Sequence, residues 1–477
     1  MEKLFKLKEH GTTVRTEIIA GITTFLAMVY ILAVNPNILS AAGMDSAAVF
    51  TATAVSAAFG CAFMAFFANY PIALASGMGL NAYFAFTVCG ELAAQGVNDP
   101  WKVALTAILV EGIIFIILSL FKFRETLVNK VPANLKYGIS AGIGLFIVIV
   151  ALKGAGIVVT DATFVTDPAT GTALLDELGN PTITSSTLVA LGSVGSAPVV
   201  LAFVGFLIIA ALRHFKVPGD ILIGILATWA LGMGAQAIGW YQVDPASSAF
   251  SLFPDFSKGF NIAAPNLFAF DFGFVAKHAV HFAVIVFAFL FVDLFDTVGT
   301  VIGVADKANL LDKNGNLPRV GATLMADAVG TVAGACLGTS TVTSYVESSA
   351  GVAAGGKTGL TALTTGVLFI LALVLSPIFI AIPSFATTPA LMFVGLLMMS
   401  SVKKMTFEGD IADVVAGFVA IIMMPFTYSI ANGIMFGILS WVVLKVVTGK
   451  IKDIHPVMWV SSALFVLRIL TLVMGWQ

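Results

Sequence analysis

Residues 339–360 read TSTVTSYVESSAGVAAGGKTGL. The run lies between two long apolar stretches, yet it holds an ionisable Glu347, a row of hydroxyls, β-branched threonines close together and a crowd of small residues. Such a sequence is a poor helix former, because Thr loses side-chain freedom in a helix and Gly loses the most backbone freedom. At membrane depth an irregular backbone survives only where protein or water satisfies its N–H and C=O groups. The stretch is therefore read as a broken helix that lines an interior site rather than facing lipid.

The surrounding composition puts that site in a bilayer. The chain has 477 residues, 59% of them hydrophobic and only 10% charged, where soluble domains carry about 25% charged residues. Apolar runs recur at roughly the 20 residues needed to cross the hydrocarbon core. A formal charge of −2 speaks against a nucleic-acid partner. Cys61, Cys89 and Cys336 are far apart without metal-ligand spacing and read as small packing residues. No nucleophile–base pair, phosphate loop or metal cluster is legible, so neither an enzyme nor a metal site is expected. The charged N-terminus, MEKLFKLKEHGTTVRTE, is unlike a cleavable signal, and the first apolar run should stay as a spanning helix.

Fourteen apolar segments follow one another from 17–34 to 430–448. The third (73–90) and tenth (341–355) are short and Gly/Ser-rich, as half-spans are. With the N-terminus in the cytoplasm, only Lys102, Lys153, Lys258 and Lys277 fall outside, and every other Lys and Arg up to Lys452 falls inside. That asymmetry follows the positive-inside rule. The long segments 154–196 and 241–277 then face outside, the first with a turn at Gly179-Asn180-Pro181 suited to a hairpin. A last apolar run, 457–475, carries Arg468 and ends at Trp476; it either lies along the interface or crosses, and the sequence leaves the two open.

Residues 131–153 can be laid without gaps on 382–404, so that Pro132 meets Pro383, Gly144-Leu145 meets Gly395-Leu396 and Lys153 meets Lys404. One lysine is outside and the other inside, so the copies run in opposite directions. Inverted repeats of this kind build transporters with a midplane site. The repeat places segments 3 and 10 in equivalent positions. Each should be extended for a few residues, then helical, and the two should meet near the centre.

Acids at membrane depth are few: Glu111, Asp293, Asp296, Asp327 and Glu347, with Asp413 near a span's start. A mid-membrane Asp costs about 2.5–3.5 kcal/mol on insertion scales, so these need partners or a function. Glu347 sits in the second half-span and is read as a substrate or proton group. Asp293 and Asp296, in FVDLFDTVGTVIGVADKA, are three residues apart and share one helix face; Asp296 is the stronger functional candidate. Asp327 is placed to bond the hydroxyls of the tenth segment, and Glu111 reads as packing. His278 and His281 mark the outer end of the eighth segment. Phe84 and Tyr345 stand out as half-span aromatics that could stack on a flat ligand.

The stretches FKLKEHGTTVRTEIIAGITTFLAMVYILAVNP, GMGLNAYFAF, FVDLFDTVGTVIGVADKA and GTSTVTSYVESSAGVAAGGKTGLTAL resemble the azaguanine-like purine permease branch of the nucleobase–ascorbate transporter superfamily. The resemblance implies an all-α polytopic membrane protein of seven plus seven inverted spans, with short strands leading into half-helices in spans 3 and 10. It implies a core domain at 17–125 and 278–382, a gate domain at 132–240 and 383–450, and a cytoplasmic or interfacial tail at 451–477. It further implies import of purine nucleobases (adenine, guanine, hypoxanthine) by proton symport, with no cofactor beyond the proton gradient. Asp296 and Glu347 stand at the family's acidic ligand positions, Asn81 and Phe84 in the first half-span, and Thr339 and Ser340 in the second strand. Proton coupling falls to Asp296 or Glu347, with Asp293 and Asp327 beside them. The expected location is the cell membrane with both termini cytoplasmic, and a homodimer through the gate domain is compatible with the resemblance. An anion or sulfate exchanger of the same architecture is the alternative; carboxylates without Arg or Lys at the site count against it.

Overall fold

The structure, a computed structural model, describes residues 2–120, 131–164, 183–242, 253–254, 262–308, 310 and 317–473. Among these, ten helices are long and apolar enough to cross a membrane, from Val14–Ser40 to Ile430–Val447. Shorter apolar stretches lie at Ala279–Leu294, Ile411–Phe426 and Pro456–Leu470, the first of them inside the long helix Ala279–Lys307. The strands among the described residues are β1 (Leu74–Ser76), β2 (Val158–Phe164), β3 (Ile183–Leu191) and β4 (Val342–Ser344). β2 and β3 pair antiparallel, the hairpin arrangement read for 154–196; its turn at Gly179-Asn180-Pro181 lies outside the described residues.

The two segments read as half-spans are broken as expected. β1 pairs antiparallel with β4, with Leu74 opposite Ser344, Ala75 opposite Thr343 and Ser76 opposite Val342. Gly77 N donates to Thr341 O (2.9 Å) and Tyr345 N to Ala73 O (3.0 Å), which extends the ladder by a bond at each end. β1 leads into a helix running from Met78 to Ala94 with a π-helical stretch at Tyr83–Val88. β4 leads into the short helix Ser348–Ala353.

An isolated two-stranded ribbon is marginal by itself, and in a membrane its outer edges need partners. The flanking helices supply them. Cys61, on helix Ser46–Phe63, takes the Leu74 N–H at 3.2 Å and donates its thiol to Leu74 O at 3.3 Å. Thr331, on helix Val320–Leu337, donates to Val342 O at 3.2 Å. Cys61 is thus more than the packing residue its sequence context suggested. Close approach needs small residues there: a Cβ on Gly334 would lie 2.7 Å from Ser340 O.

Around this centre the helices pack in matching pairs. Helix Ser46–Phe63 lies on Gly359–Leu371 and on Val320–Leu337, which in turn lies on Pro100–Leu120. Elsewhere Ala133–Gly154 packs on Ser384–Met399 and Ile411–Phe426, and Ala197–His214 packs on Asp220–Ala237 and Ser384–Met399. The glycines matched in the sequence alignment face each other here. A Cβ on Gly144 would lie 2.7 Å from Gly395 O, and one on Gly395 would lie 2.6 Å from Gly144 O. Equivalent residues in reciprocal contact are what a two-fold relation between helices produces.

Candidate functional site

The strand pair places its polar groups in two layers. The inner layer is fully closed. Ser76 Oγ lies 2.9 Å from Ser340 Oγ and 3.4 Å from Thr339 Oγ1, and donates to Asn81 Oδ1 at 3.0 Å. Ser340 Oγ also donates to Asn81 Oδ1. Asn35, from the first span, donates to Thr339 Oγ1 at 2.9 Å and to Thr53 Oγ1 at 2.8 Å. Asn35, Ser76, Asn81, Thr339 and Ser340 all have zero accessible surface. Asn81 Nδ2 is buried with no hydrogen-bond partner. Tyr345 donates its hydroxyl to Ser76 O, fixing the ring against β1.

The acids divide into two groups. Asp293 and Asp327 are fully buried, whereas Asp296 and Glu347 keep part of their surface accessible. The buried pair is joined by one hydroxyl: Thr297 Oγ1 lies 3.1 Å from Asp293 Oδ1 and also contacts Asp327 Oδ2. Ser344 Oγ, on β4, donates to Asp327 Oδ1 at 3.0 Å. That bond ties helix Val320–Leu337 to the strand, the role expected for Asp327. Asp296 lies three residues beyond Asp293 on helix Ala279–Lys307, which packs on β4, on Ser348–Ala353 and on Val320–Leu337.

Glu347 is held from a distant part of the chain. It occupies the N-cap position of Ser348–Ala353, where its side chain makes no bond to that helix's backbone. Instead Tyr30 donates its hydroxyl to Glu347 Oε1 at 2.6 Å. Tyr30 is fully buried at the break between helices Val14–Met28 and Ile31–Ser40. Sequence reasoning missed it. The only local signal is a tyrosine in the apolar run AMVYILAVNP, six residues before Pro36. Arg213, on helix Ala197–His214, pairs its Nε with Asp220 at 2.5 Å.

The site residues expected from sequence therefore fall into three places. Asp296 and Glu347 are the two central acids that keep accessible surface. Asn81, Thr339 and Ser340 form the closed layer. Phe84 is fully buried on the half-helix, with no surface open to a ligand in this conformation. Glu17, a further buried acid, accepts from Lys357 N (2.9 Å), Thr358 N (3.2 Å) and Thr361 Oγ1 (2.6 Å) and so fastens the start of helix Gly359–Leu371. Among the described residues no group of His, Cys, Asp and Glu is placed to hold a metal ion.

Comparison with known proteins agrees with this geometry. A family model described as "Permease family" matches residues 15–436. Adenine permease AdeP of Escherichia coli (strain K12) is 40% identical over 472 residues, covering 98% of this chain and 96% of the relative. Guanine/hypoxanthine permease PbuO of Bacillus subtilis (strain 168) is 42% identical over 471 residues, covering 98% and 100%. Among solved structures, the transmembrane domain of the cyanobacterial bicarbonate transporter BicA superposes with a TM-score of 0.62 at 14% identity, over 89% of this chain and 97% of that one. SLC26A9 superposes with a TM-score of 0.60 at 14% identity, over 91% and 66%. At that identity the likeness speaks for the fold alone. With a match through most of the chain and relatives aligned end to end, the chain is a multi-pass membrane transporter, not an enzyme, and belongs to the nucleobase–ascorbate transporter family of permeases.

Proposed function

We propose that the protein imports purine nucleobases together with protons. The observation that carries this reading is the sorting of the acids: two of four central carboxylates are sealed and bonded, and two, Asp296 and Glu347, keep part of their surface accessible. A purine presents flat faces and an edge of N–H donors. A carboxylate accepts from two such donors at once, and charge-assisted bonds are roughly twice as strong as neutral ones. Tyr345 and the strand backbone supply the flanking contacts. Relatives named for adenine and for guanine and hypoxanthine support the same ligand class.

Proton coupling follows from the inner carboxylates. The Thr297 hydroxyl has a single proton but meets both Asp293 and Asp327. Protonating one of the two carboxylates would let this hydroxyl donate to one aspartate while accepting from the other. Asp296, adjoining both this trio and Glu347, is the natural exchange point between proton and base. In this reading Glu347 and Asp296 hold the base, Asn81, Thr339 and Ser340 form the wall behind it, and Phe84 backs the first half-helix.

The architecture we infer is fourteen spans in two inverted sevens, with core and gate domains as expected above and the N-terminus in the cytoplasm. Reciprocal contact of Gly144 with Gly395, and the antiparallel β1–β4 pair, support the inverted relation. The core would carry the base past the gate in an elevator-like movement. Against an anion exchanger of this architecture, Asp296 and Glu347 put carboxylates at the site, and Arg213 is engaged by Asp220.

Uptake of radiolabelled adenine, guanine and hypoxanthine into proteoliposomes, with and without an inward proton gradient, tests the reading. Gradient-driven accumulation competed by purines but not by sulfate or bicarbonate is expected. Transport indifferent to the gradient and to an uncoupler ends the symport claim, and competition by the anions alone ends the purine claim.

A further inference from the structure

The sequence leaves open whether the last apolar run lies along the interface or crosses the membrane, and its surroundings bear on the choice. Helix Pro456–Val473 begins three residues after Asp453, which belongs to a charged cluster: Lys445 contacts Asp410, Asp413 and Asp453, and Lys450 lies 3.0 Å from Asp410. This cluster closes the cytoplasmic end of helix Ile430–Val447. From there the last helix turns back alongside Ile430–Val447 and packs against Ala279–Lys307. Phe465 is buried between Phe287 and Phe291, with ring centroids at 5.2 and 6.1 Å. One turn further on, Arg468 is buried and its Nη2 lies 3.4 Å from Glu91 Oε2.

Glu91 and His281 both mark the outer end of the bundle. Glu91 lies fourteen residues beyond Gly77 at the end of β1, about 21 Å along a helix rising 1.5 Å per residue. His281 is in the first turn of Ala279–Lys307, whose far end is cytoplasmic in the charge pattern. A helix lying flat on the cytoplasmic surface cannot touch both the Asp453 end and Glu91. The twelve residues from Pro456 to Arg468 cover about 18 Å at the same rise, most of a hydrocarbon core about 30 Å thick.

We propose that Pro456–Val473 is a further membrane crossing and that Arg468 is a positioning residue for transport. It holds, from the outer side, the two elements that carry the site: the half-helix Met78–Ala94 with Asn81, through Glu91, and helix Ala279–Lys307 with Asp293 and Asp296, through the adjoining Phe465. The helix is covalently continuous with the last span of the gate half, so it links that half to both. The Val473 end of this helix then lies on the side opposite the cytoplasmic cluster.

The crossing is tested by labelling with a membrane-impermeant maleimide in right-side-out and inverted vesicles. Gln477→Cys is compared with Lys452→Cys, and the unsubstituted protein gives the background from its native cysteines. Labelling of Q477C and K452C from opposite sides is expected; labelling from the same side overturns the crossing. This arm needs no substrate. The positioning role rests on the purine reading above. Arg468→Glu should lower the maximal purine uptake rate about tenfold while leaving the Kd for purine within about twofold, and Glu91→Arg in the same chain should restore most of the rate. An unchanged rate in R468E, or no recovery in the double variant, overturns it. Should the unsubstituted protein move no purine, the function reading fails, while the labelling still decides the crossing.

Discussion

Removing the Tyr30 hydroxyl separates two ways in which Glu347 could serve a base. Tyr30→Phe keeps a buried ring of the same shape and deletes only the donor at 2.6 Å from Glu347 Oε1. The bond exists before any ligand arrives, so its full strength does not enter the binding constant. What the variant adds is the freedom of the Glu347 side chain, which binding must then remove. Ordering one such side chain costs about 0.5–1.5 kcal/mol, a two- to twelvefold rise in Kd at 1.4 kcal/mol per tenfold. Glu347→Gln keeps the shape, and its amide oxygen still accepts from Tyr30, but the charge is lost. A hydrogen bond to a charged group contributes about 1.5–3 kcal/mol, so Kd should rise about 12- to 140-fold. The order of effects follows: E347Q costs more than Y30F, and Y30F more than nothing. Equilibrium binding of radiolabelled adenine and guanine to purified protein, beside thermal melting of each variant, measures this. A Y30F protein that melts normally and loses more affinity than E347Q would refute the reasoning, as would an E347Q protein with native affinity.

Three further outcomes are expected. Asp296→Asn should abolish accumulation driven by a proton gradient while retaining some counterflow exchange of purine; gradient-driven accumulation that persists in the variant removes Asp296 from coupling. Gly395→Val should lower the melting temperature in detergent, because its new side chain would meet Val148 Cγ2 at 2.4 Å and the Gly144 carbonyl at 2.6 Å; overpacking of this kind costs about 1–3 kcal/mol, and an unchanged melting point would show that the helices are not so close. Hydrogen bonds from Lys445, then Lys450, hold the Asp410 carboxyl well below the usual carboxylate range. A carboxyl whose folded pKa is depressed stabilises above its unfolded value and loses that contribution as pH falls toward the folded one, so the melting gap between wild type and Asp410→Asn should be full at pH 7 and shrink only below about pH 4, near the unfolded Asp value.

Much of the transmembrane plan was legible because its signals are local. Hydropathy over about 20 residues marks a span. The broken segments were legible for the same reason: Gly, Ser and Thr crowd at 73–90 and 341–355, where a continuous helix would be apolar. β1 and β4 formed where that reading put them, and meet each other. The closeness of Gly144 and Gly395 was implicit in a gapless alignment of two apolar stretches, though the alignment alone carries no distance.

What the linear chain could not say is which polar groups meet. Tyr30 and Glu347 are 317 positions apart, and an isolated tyrosine in an apolar run looks like packing. Cys61 looked equally inert, and its bonds to Leu74 exist only because β1 lies across that helix. Asp293 and Asp296 are near-twins in sequence; one is sealed by Thr297 and Asp327 and the other is left open. The course of the last helix turned on Arg468 finding Glu91. Hydrophobicity and charge bias are sums over neighbours along the chain, and sequence suffices for them. Accessibility and hydrogen-bond partnership depend on how distant helices dock, and an acid becomes a structural tie or a ligand only once that docking has chosen its neighbours.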